Sequence, residues 1–292
     1  MTKPTLPIQY HPLWLLCGLC LLVLSSHTLA GTFPRHNPVP GGIALIPLGN
    51  DTQRPDAQYN QRPVIVTWRD GQWLAVVGIP LDSQPGQHTL ALESASQGSL
   101  KFEVAHKQYP EQHITITNRR QVNPDPDDLS RIRDEQARSR AAYNRITEKS
   151  PQLEFILPVE GRISGVFGSR RFFNGQPRRP HSGLDIAAPT GTPIQAPATG
   201  IVVETGDYFF NGKTVFIDHG EGLVSMYCHM DSIEVTVGQV IAQGERIGTV
   251  GATGRVTGAH LHWSISLNNT LVDPELFLTE QTLAQLNAAN RN

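Results

Sequence analysis

Apolar residues come in short runs along this chain, and their period changes twice. The runs 43–48, 63–68, 73–79, 87–93, 100–106 and 112–117 recur at roughly ten-residue spacing. Phe102-Glu103-Val104 and His113-Ile114-Thr115-Ile116-Thr117 alternate apolar and polar positions, as half-buried strands do. Asp70-Gly71 lies between two of the runs as a hairpin signal, and Pro85-Gly86 punctuates the next pair. Short strands with regular turn signals predict an Ig-like β-sandwich over 31–120.

The period then lengthens. Asn123-Pro124-Asp125-Pro126-Asp127-Asp128 opens a helix: Asp125 can cap it, Pro126 suits its first position, and the next two aspartates favour the positive end of its dipole. The helix is expected to run to about Lys149 within a linker over 121–150. Leu129, Ile132, Tyr143 and Ile146 make a sparse apolar stripe, interrupted by Gln136 and Ser139 on the same face. Such a helix is largely solvated and packs along part of its length.

From 151 to 282 short β segments return at 161–166, 193–195, 199–205, 213–218, 223–229, 233–235, 246–250 and 261–267. Gly and Pro recur between them, as tight turns demand. A short helix from Pro274 to about Leu286 closes this second domain, and 283–292 form a tail. The whole chain is therefore expected to be mainly β.

At the other end, Leu13–Leu24 is an apolar stretch followed by Ser-Ser-His-Thr-Leu-Ala, with small residues at Thr28 and Ala30. This is the form of a secretory signal peptide over 1–30, cleaved after Ala30 and short for a membrane span. Export to the periplasm is expected, with no stable membrane span after cleavage; a segment kept uncleaved as a membrane anchor is the alternative. Cys17 and Cys20 lie in that leader, so Cys228 would be left alone and no internal disulfide could form. Cys228 is next to His229, but strand neighbours face opposite sides, which argues against a cysteine–histidine pair. The net charge of −2 excludes a strong nucleic-acid footprint.

The chemistry is concentrated in His181 and Asp185 of His-Ser-Gly-Leu-Asp, His229 of Tyr-Cys-His-Met, and His260 and His262 of His-Leu-His. In a strand His260 and His262 point one way and Leu261 and Trp263 the other. His181 and Asp185, four apart, share a face in strand or helix, and Gly183 and Pro189 favour the extended form. A single histidine on a strand is usually just a packed residue. Three clusters of metal-ligand types in one Gly-rich segment are another matter: two histidines and one aspartate leave a fourth tetrahedral position open for water, as in a catalytic zinc site. The motif His-Glu-x-x-His is absent, so a glutamate base of that kind is excluded.

The segments Pro-His-Ser-Gly-Leu-Asp-Ile-Ala-Ala-Pro (180–189), Ala-Pro-Ala-Thr-Gly (196–200), Ile-Asp-His-Gly-Glu-Gly (217–222), Tyr-Cys-His-Met (227–230), Gly-Glu-Arg-Ile-Gly (244–248) and Gly-Ala-Thr-Gly-Arg-Val-Thr-Gly-Ala-His-Leu-His (251–262) resemble the M23 peptidases, the lysostaphin and LytM-type zinc endopeptidases that cut peptidoglycan cross-bridges. The resemblance covers roughly 155–280. It implies a compact antiparallel β-domain with one Zn2+ in a groove across a sheet, held by His181, Asp185 and His262. His229 and His260 then form the non-ligating catalytic pair, His260 as the base and His229 as hydrogen-bond donor to the oxyanion. The family more often has Gly and Pro where this chain has Cys228 and Ala259; neither difference removes a functional group. Tyr-Pro-Glu-Gln-His-Ile-Thr-Ile (109–116) resembles the amino-terminal domain that accompanies some proteobacterial M23 peptidases, a domain that could position substrate, bind a partner, occlude the site or act as a spacer.

By that resemblance the function is hydrolysis of peptidoglycan peptide cross-links, with D-alanyl–meso-diaminopimelate the bond, stem peptides the substrate and envelope regulators as further partners. The alternative is a LytM-type regulator that activates cell-wall amidases; such domains have lost ligands, whereas this set is complete. Arg170, Arg171, Arg178 and Arg179 flank Phe172-Phe173-Asn174-Gly175, and a mobile loop there could meet stem-peptide carboxylates. Asp207–Gly212, with Phe209 and Phe210 at its tip, could line the groove or pack beneath it.

Overall fold

The structure is a computed structural model that describes residues 34–93 and 98–289; the segment 1–30 expected to be a signal peptide lies outside the described residues. The first part of the chain forms β1 (Ile43–Gly49), β2 (Ala57–Tyr59), β3 (Arg62–Pro63), β4 (Ile65–Arg69), β5 (Gln72–Gly78), β6 (Gly86–Leu92) and β7 (Ser99–Val104). They make two facing sheets, in the orders β1-β5-β4 and β3-β2-β6-β7. The run expected as one strand over 63–68 breaks at Val64, because β3 belongs to one sheet and β4 to the other. Ala44, Ile46, Val66, Ala75, Val77, Leu90 and Val104 fill the space between the sheets.

Alternation gives the β1-β5-β4 sheet a second apolar face. Ile43, Ile65 and Val76 are 0–1% exposed and pack into the core of the second domain, in one cluster with Trp263, Leu267 and Val272. The two parts therefore share a hydrophobic core.

The sixth predicted strand belongs elsewhere. β8 (Glu111–Ile114) pairs in parallel with β10 (Arg170–Phe173), placing Gln112 beside Arg171 and Ile114 beside Phe173. The alternation over 113–117 identified which residues are covered but not what covers them: His113 stacks on Phe172 at 4.6 Å, and Ile116 packs with Val122 and Phe173.

Helix α1 (Pro126–Tyr143) starts as expected, with Asp125 at the N-cap, a capping box closed by Asp128, and Pro126 at the first turn. Asp128 is also held by both nitrogens of the Arg120 fork, at 2.5 and 2.6 Å. The helix ends at Tyr143, not at Lys149. Beyond it the backbone is taken up by the second domain: Glu221 N–H donates to the Thr147 carbonyl at 2.9 Å, and Arg145 pairs with Asp218. Ala142 and Tyr143 pack against Phe216, Met226 and Cys228 on the outer face of the large sheet.

The second domain comprises β9 (Arg162–Gly165), β10, β11 (Gln176–Pro177), β12 (Leu184–Ala187), β13 (Pro193–Gln195), β14 (Gly200–Tyr208), β15 (Gly212–Gly220), β16 (Leu223–Ile233), β17 (Val240–Ile241), β18 (Arg246–Val250), β19 (His260–Leu267), β20 (Thr270–Val272) and α2 (Glu280–Ala289). Its main sheet runs β17-β14-β15-β16-β19-β12-β9, with antiparallel pairing throughout. β16 is the spine: eleven residues long, it pairs with β15, β19 and β18. Of the expected strand at 233–235 only Ile233 is in a strand, as the last residue of β16. Among the described residues no helix is long and apolar enough to cross a membrane.

One buried polar chain runs through this core. His219 Nδ1 donates to the Thr199 carbonyl at 3.0 Å, so its Nε2 accepts from the Ser225 hydroxyl at 2.7 Å, and Ser225 accepts from Tyr227 at 2.7 Å. Burial pushes His219 down from its ordinary 6.5 to about 4.

Two outcomes follow from these cores. Ile65→Ala should cost about 2–5 kcal/mol and, because the core is shared, should shift one unfolding transition seen identically by fluorescence and far-UV dichroism; a separate early transition of the first part would contradict the shared core. For His219 the folded-state pKa lies below the unfolded one, so the unfolded chain binds the extra proton between the two values and stability falls as pH drops from 6.5 to 4. The loss attributable to this residue is on the order of 3 kcal/mol. Urea midpoints of the wild type and His219→Gln across that window should show a shallower pH slope in the variant.

Candidate active site

The site is built on β12 and β19, which run antiparallel with Asp185 opposite His262 and Ala187 opposite His260. Strand alternation sends His260, His262 and Ser264 to one face and leaves Leu261 and Trp263 fully buried in the core behind it. His181 stands just before β12, its backbone N–H bonded to the Ser169 carbonyl at 2.9 Å.

Three donor atoms converge. His181 Nε2 is 2.9 Å from Asp185 Oδ1 and 3.0 Å from His262 Nδ1, and His262 Nδ1 is 2.8 Å from the same Asp185 oxygen. The three residues are 1%, 6% and 7% exposed, and together they could hold a metal ion. Their outward atoms are also held. His181 Nδ1 donates to the Val166 carbonyl at 2.8 Å, which leaves a lone pair on the inward Nε2. His262 Nε2 meets Ser264 Oγ at 2.8 Å. Arg171 Nη2 donates to Asp185 Oδ2 at 2.6 Å, and its Nε donates to Gln112 Oε1 at 3.0 Å. Two inward imidazole nitrogens and one carboxylate oxygen, each steadied from outside, suit a divalent cation.

Close approach requires glycine at two places here. A Cβ at Gly165, opposite Asp185 on β9, would lie 2.5 Å from Asp185 Oδ2; one at Gly183 would lie 2.4 Å from the Trp263 carbonyl. Burial would raise the Asp185 carboxyl, but the contacts of Oδ1 with the His181 and His262 imidazoles outweigh it and hold it well below the usual carboxylate range. Burial is the main force on His262, pushing it to about 4 against the pull of Asp185.

His229 and His260 complete the cluster, their rings 4.8 Å apart. His260 Nδ1 donates to the Gly258 carbonyl at 2.9 Å, and its Nε2 is 3.8 Å from Asp185 Oδ1. His229 Nδ1 donates to the Thr253 carbonyl at 2.9 Å. Carbonyls only accept, so in the neutral rings both Nε2 atoms carry lone pairs. His229 lies where β16 exchanges β19 for β18 as its neighbour, in a bulge that sets Cys228 and His229 against the single residue Thr214. Its φ of 63° is in the left-handed region. Burial, and then repulsion from His260 and His262, hold its pKa well below the ordinary value. Cys228 packs on the α1 side of the sheet.

The five predicted residues thus come together, and three of them, Asp185, His229 and His260, line a groove with Gln112, Arg171 and Arg255, a cavity of about 260 Å3. The arginine-rich stretch does not behave as expected. It is a β10–β11 hairpin turning at Asn174-Gly175 and fixed along β8, not a mobile loop. Arg171 is engaged by Asp185, Arg170 by Glu111, and Arg178 by the Val122 carbonyl. Ser264 was recoverable from sequence, because it continues the same-face series 260, 262, 264. The backbone acceptors at 166, 253 and 258 carry no side-chain signal.

Residues 179–274 match the model of peptidase family M23, and residues 36–107 match the M23 N-terminal domain. A crystal structure of a Pseudomonas aeruginosa chain described as a peptidase M23 superposes with a TM-score of 0.69 at 44% identity, covering 83% of this chain and 95% of that one. The peptidoglycan DD-endopeptidase ShyA of Vibrio cholerae is 43% identical over 111 residues, 37% of this chain and 26% of that protein. The DD-carboxypeptidase/endopeptidase Mpg of Neisseria meningitidis is 41% identical over 116 residues, 40% of this chain and 27% of that protein. The matched stretch is thus about a quarter of the length of these two curated relatives. A mainly β, two-part peptidase with a buried metal-type ligand set is the class that fold and site define. This chain belongs to peptidase family M23.

The Arg171 contact yields a test independent of turnover. Arg171→Met should weaken divalent-metal binding by roughly 10–100-fold, measured with Zn2+ as the probe by competition with a chromophoric chelator, and Arg171→Lys should recover part of it. Unchanged affinity in Arg171→Met would remove Arg171 from the support of the ligand set.

Proposed function

We propose that this chain is an exported, zinc-dependent endopeptidase of the periplasm that hydrolyses peptide cross-links of peptidoglycan, with D-alanyl–meso-diaminopimelate the bond. One observation carries the reading: His181, Asp185 and His262 converge on one point while His229 and His260 present free Nε2 lone pairs to the same groove. The relatives named as peptidoglycan endopeptidases support the choice of substrate.

His181 Nε2, Asp185 Oδ1 and His262 Nδ1 would hold the zinc ion, which when bound polarises a carbonyl and lowers the pKa of water toward ~7. His260 is the general base: its Nδ1–H is committed to Gly258, so its Nε2 is ready to take the proton of the attacking water. His229 serves the developing oxyanion, a role it can fill only with a proton on Nε2. Burial keeps both Asp185 and the ligand histidines away from bulk water, where their interactions would be screened.

The test is digestion of purified cross-linked sacculi, with muropeptides read by mass spectrometry. Zinc-loaded wild type should convert cross-linked dimers to monomers, whereas chelator and His262→Ala should abolish the conversion. His260→Ala should lower the rate by roughly 10²–10⁴-fold while still binding zinc. Conversion that survives in His262→Ala would overturn the metal assignment; full activity in His260→Ala would overturn the base.

A further inference from the structure

We infer that Arg255 anchors a carboxylate-binding subsite of the groove and selects substrates bearing a free carboxylate near the scissile amide, an inference that rests on the peptidase reading above. Arg255 lines the same groove as His229, His260 and Asp185. It differs from its cationic neighbours in what it touches. Arg171 and Arg170 have carboxylate partners, and Arg178 is spread over the Val122 carbonyl, Asn123 and Gln176. Arg162, also in the groove, is exposed.

Arg255 is half-buried and clamped. Its guanidinium carbon lies 4.2 Å from the centroid of Phe210 and 4.5 Å from that of Phe173. Its backbone N–H donates to the Phe210 carbonyl at 2.8 Å, and Nη1 donates to the Gln121 carbonyl at 3.2 Å. Among the described residues no carboxylate lies within ion-pair distance. A guanidinium has five N–H donors, so most of the fork is left for another acceptor.

Two rings on separate hairpins, β10–β11 and β14–β15, fix the plane of the fork without neutralising it. Leaving a cation partly desolvated costs free energy unless an anion completes the site. Burial and the charges of Arg171 and Arg178 push its pKa down to about 10, so it stays charged at neutral pH. A planar fork held rigid beside the reacting groups is the geometry that takes a carboxylate in two parallel bonds. Stem peptides offer that group: diaminopimelate, on the amine side of the proposed bond, carries a second carboxylate.

The experiment uses the zinc-loaded full chain and two synthetic cross-linked peptides that differ only in whether that diaminopimelate carboxylate is free or amidated. Wild type should favour the free acid in kcat/KM by roughly 10–100-fold. Arg255→Gln should lose most of that preference on the free acid while turnover of the amide changes little, and Arg162→Gln should keep it. Arg255→Lys, which retains charge without the fork, should fall between them and covers the case in which Arg255→Gln does not fold. Binding of both peptides to zinc-loaded His260→Ala, with and without Arg255→Gln, supplies a second readout. If neither peptide is cleaved but binding still discriminates through Arg255, the peptidase reading fails and the subsite stands. Equal losses on both peptides, no discrimination by wild type, or a preference that moves with Arg162 would overturn the subsite.

Discussion

A buried carboxylate must be paired, and in this protein the rest of the site is arranged around meeting that condition for Asp185. One oxygen faces His181 and His262, and the other takes Arg171. An isolated buried charge would be strongly unfavourable or would take up a proton. Here the contacts with His181 and His262 reverse the effect of burial and keep the group ionised. Each partner fixes a piece of fold. His262 requires the β12–β19 register, Arg171 requires β10 alongside, and Gly165 leaves the space that the Asp185 carboxylate itself occupies.

That requirement reaches into the first part of the chain. Arg171 is flanked by Gln112 on β8, in the segment that leads from the sandwich to α1. The sandwich itself is joined to β19 by apolar contact, since Ile43, Ile65 and Val76 share a cluster with Trp263 and Leu267. Trp263 is the residue after the ligand His262, so the apolar face of β19 that orients the histidines rests on both parts. A first domain acting as a loose spacer is incompatible with this packing, because moving it would expose both core faces to water at a cost that grows with the area uncovered.

How much of this was legible follows from what each signal encodes. Strand alternation is a local property, and it correctly separated His260 and His262 from Leu261 and Trp263; at Cys228 and His229 the bulge breaks the alternation on which the sequence reading relied. Turn residues marked Asp70-Gly71, and capping residues marked the start of α1. Partner identity is not local. Nothing in Glu111–Ile114 says that its neighbour is β10 in another part of the chain. Arg171 looked like one of four equivalent arginines, because the sequence does not show that Asp185 lies beside it. The end of α1 was misplaced for the same reason: 144–149 are helix-compatible alone, but Glu221 and Asp218 compete for that backbone and for Arg145. Arg255 passed unnoticed within a Gly-rich motif, since its significance comes from two phenylalanines distant in sequence.

His229 shows how the fold spends conformational energy on the site. A non-glycine residue at positive φ costs of order 1–3 kcal/mol, and it persists only when its surroundings over-determine it. Here they do: the His229 N–H is held by the Asn211 carbonyl and its Nδ1 by the Thr253 carbonyl, each bond near 2.9 Å. The bulge lets β16 leave β19 after Cys228 and join β18 at Met230, so a single irregular residue both switches the sheet and turns an imidazole into the groove. A regular strand could not do this, because the residue after Cys228 would fall on the core face with Tyr227, whereas the bulge keeps it on the face of His262. The Thr253 carbonyl also selects the tautomer, because it takes the Nδ1–H. Backbone geometry, not the histidine itself, therefore decides which nitrogen of the neutral ring faces the reaction.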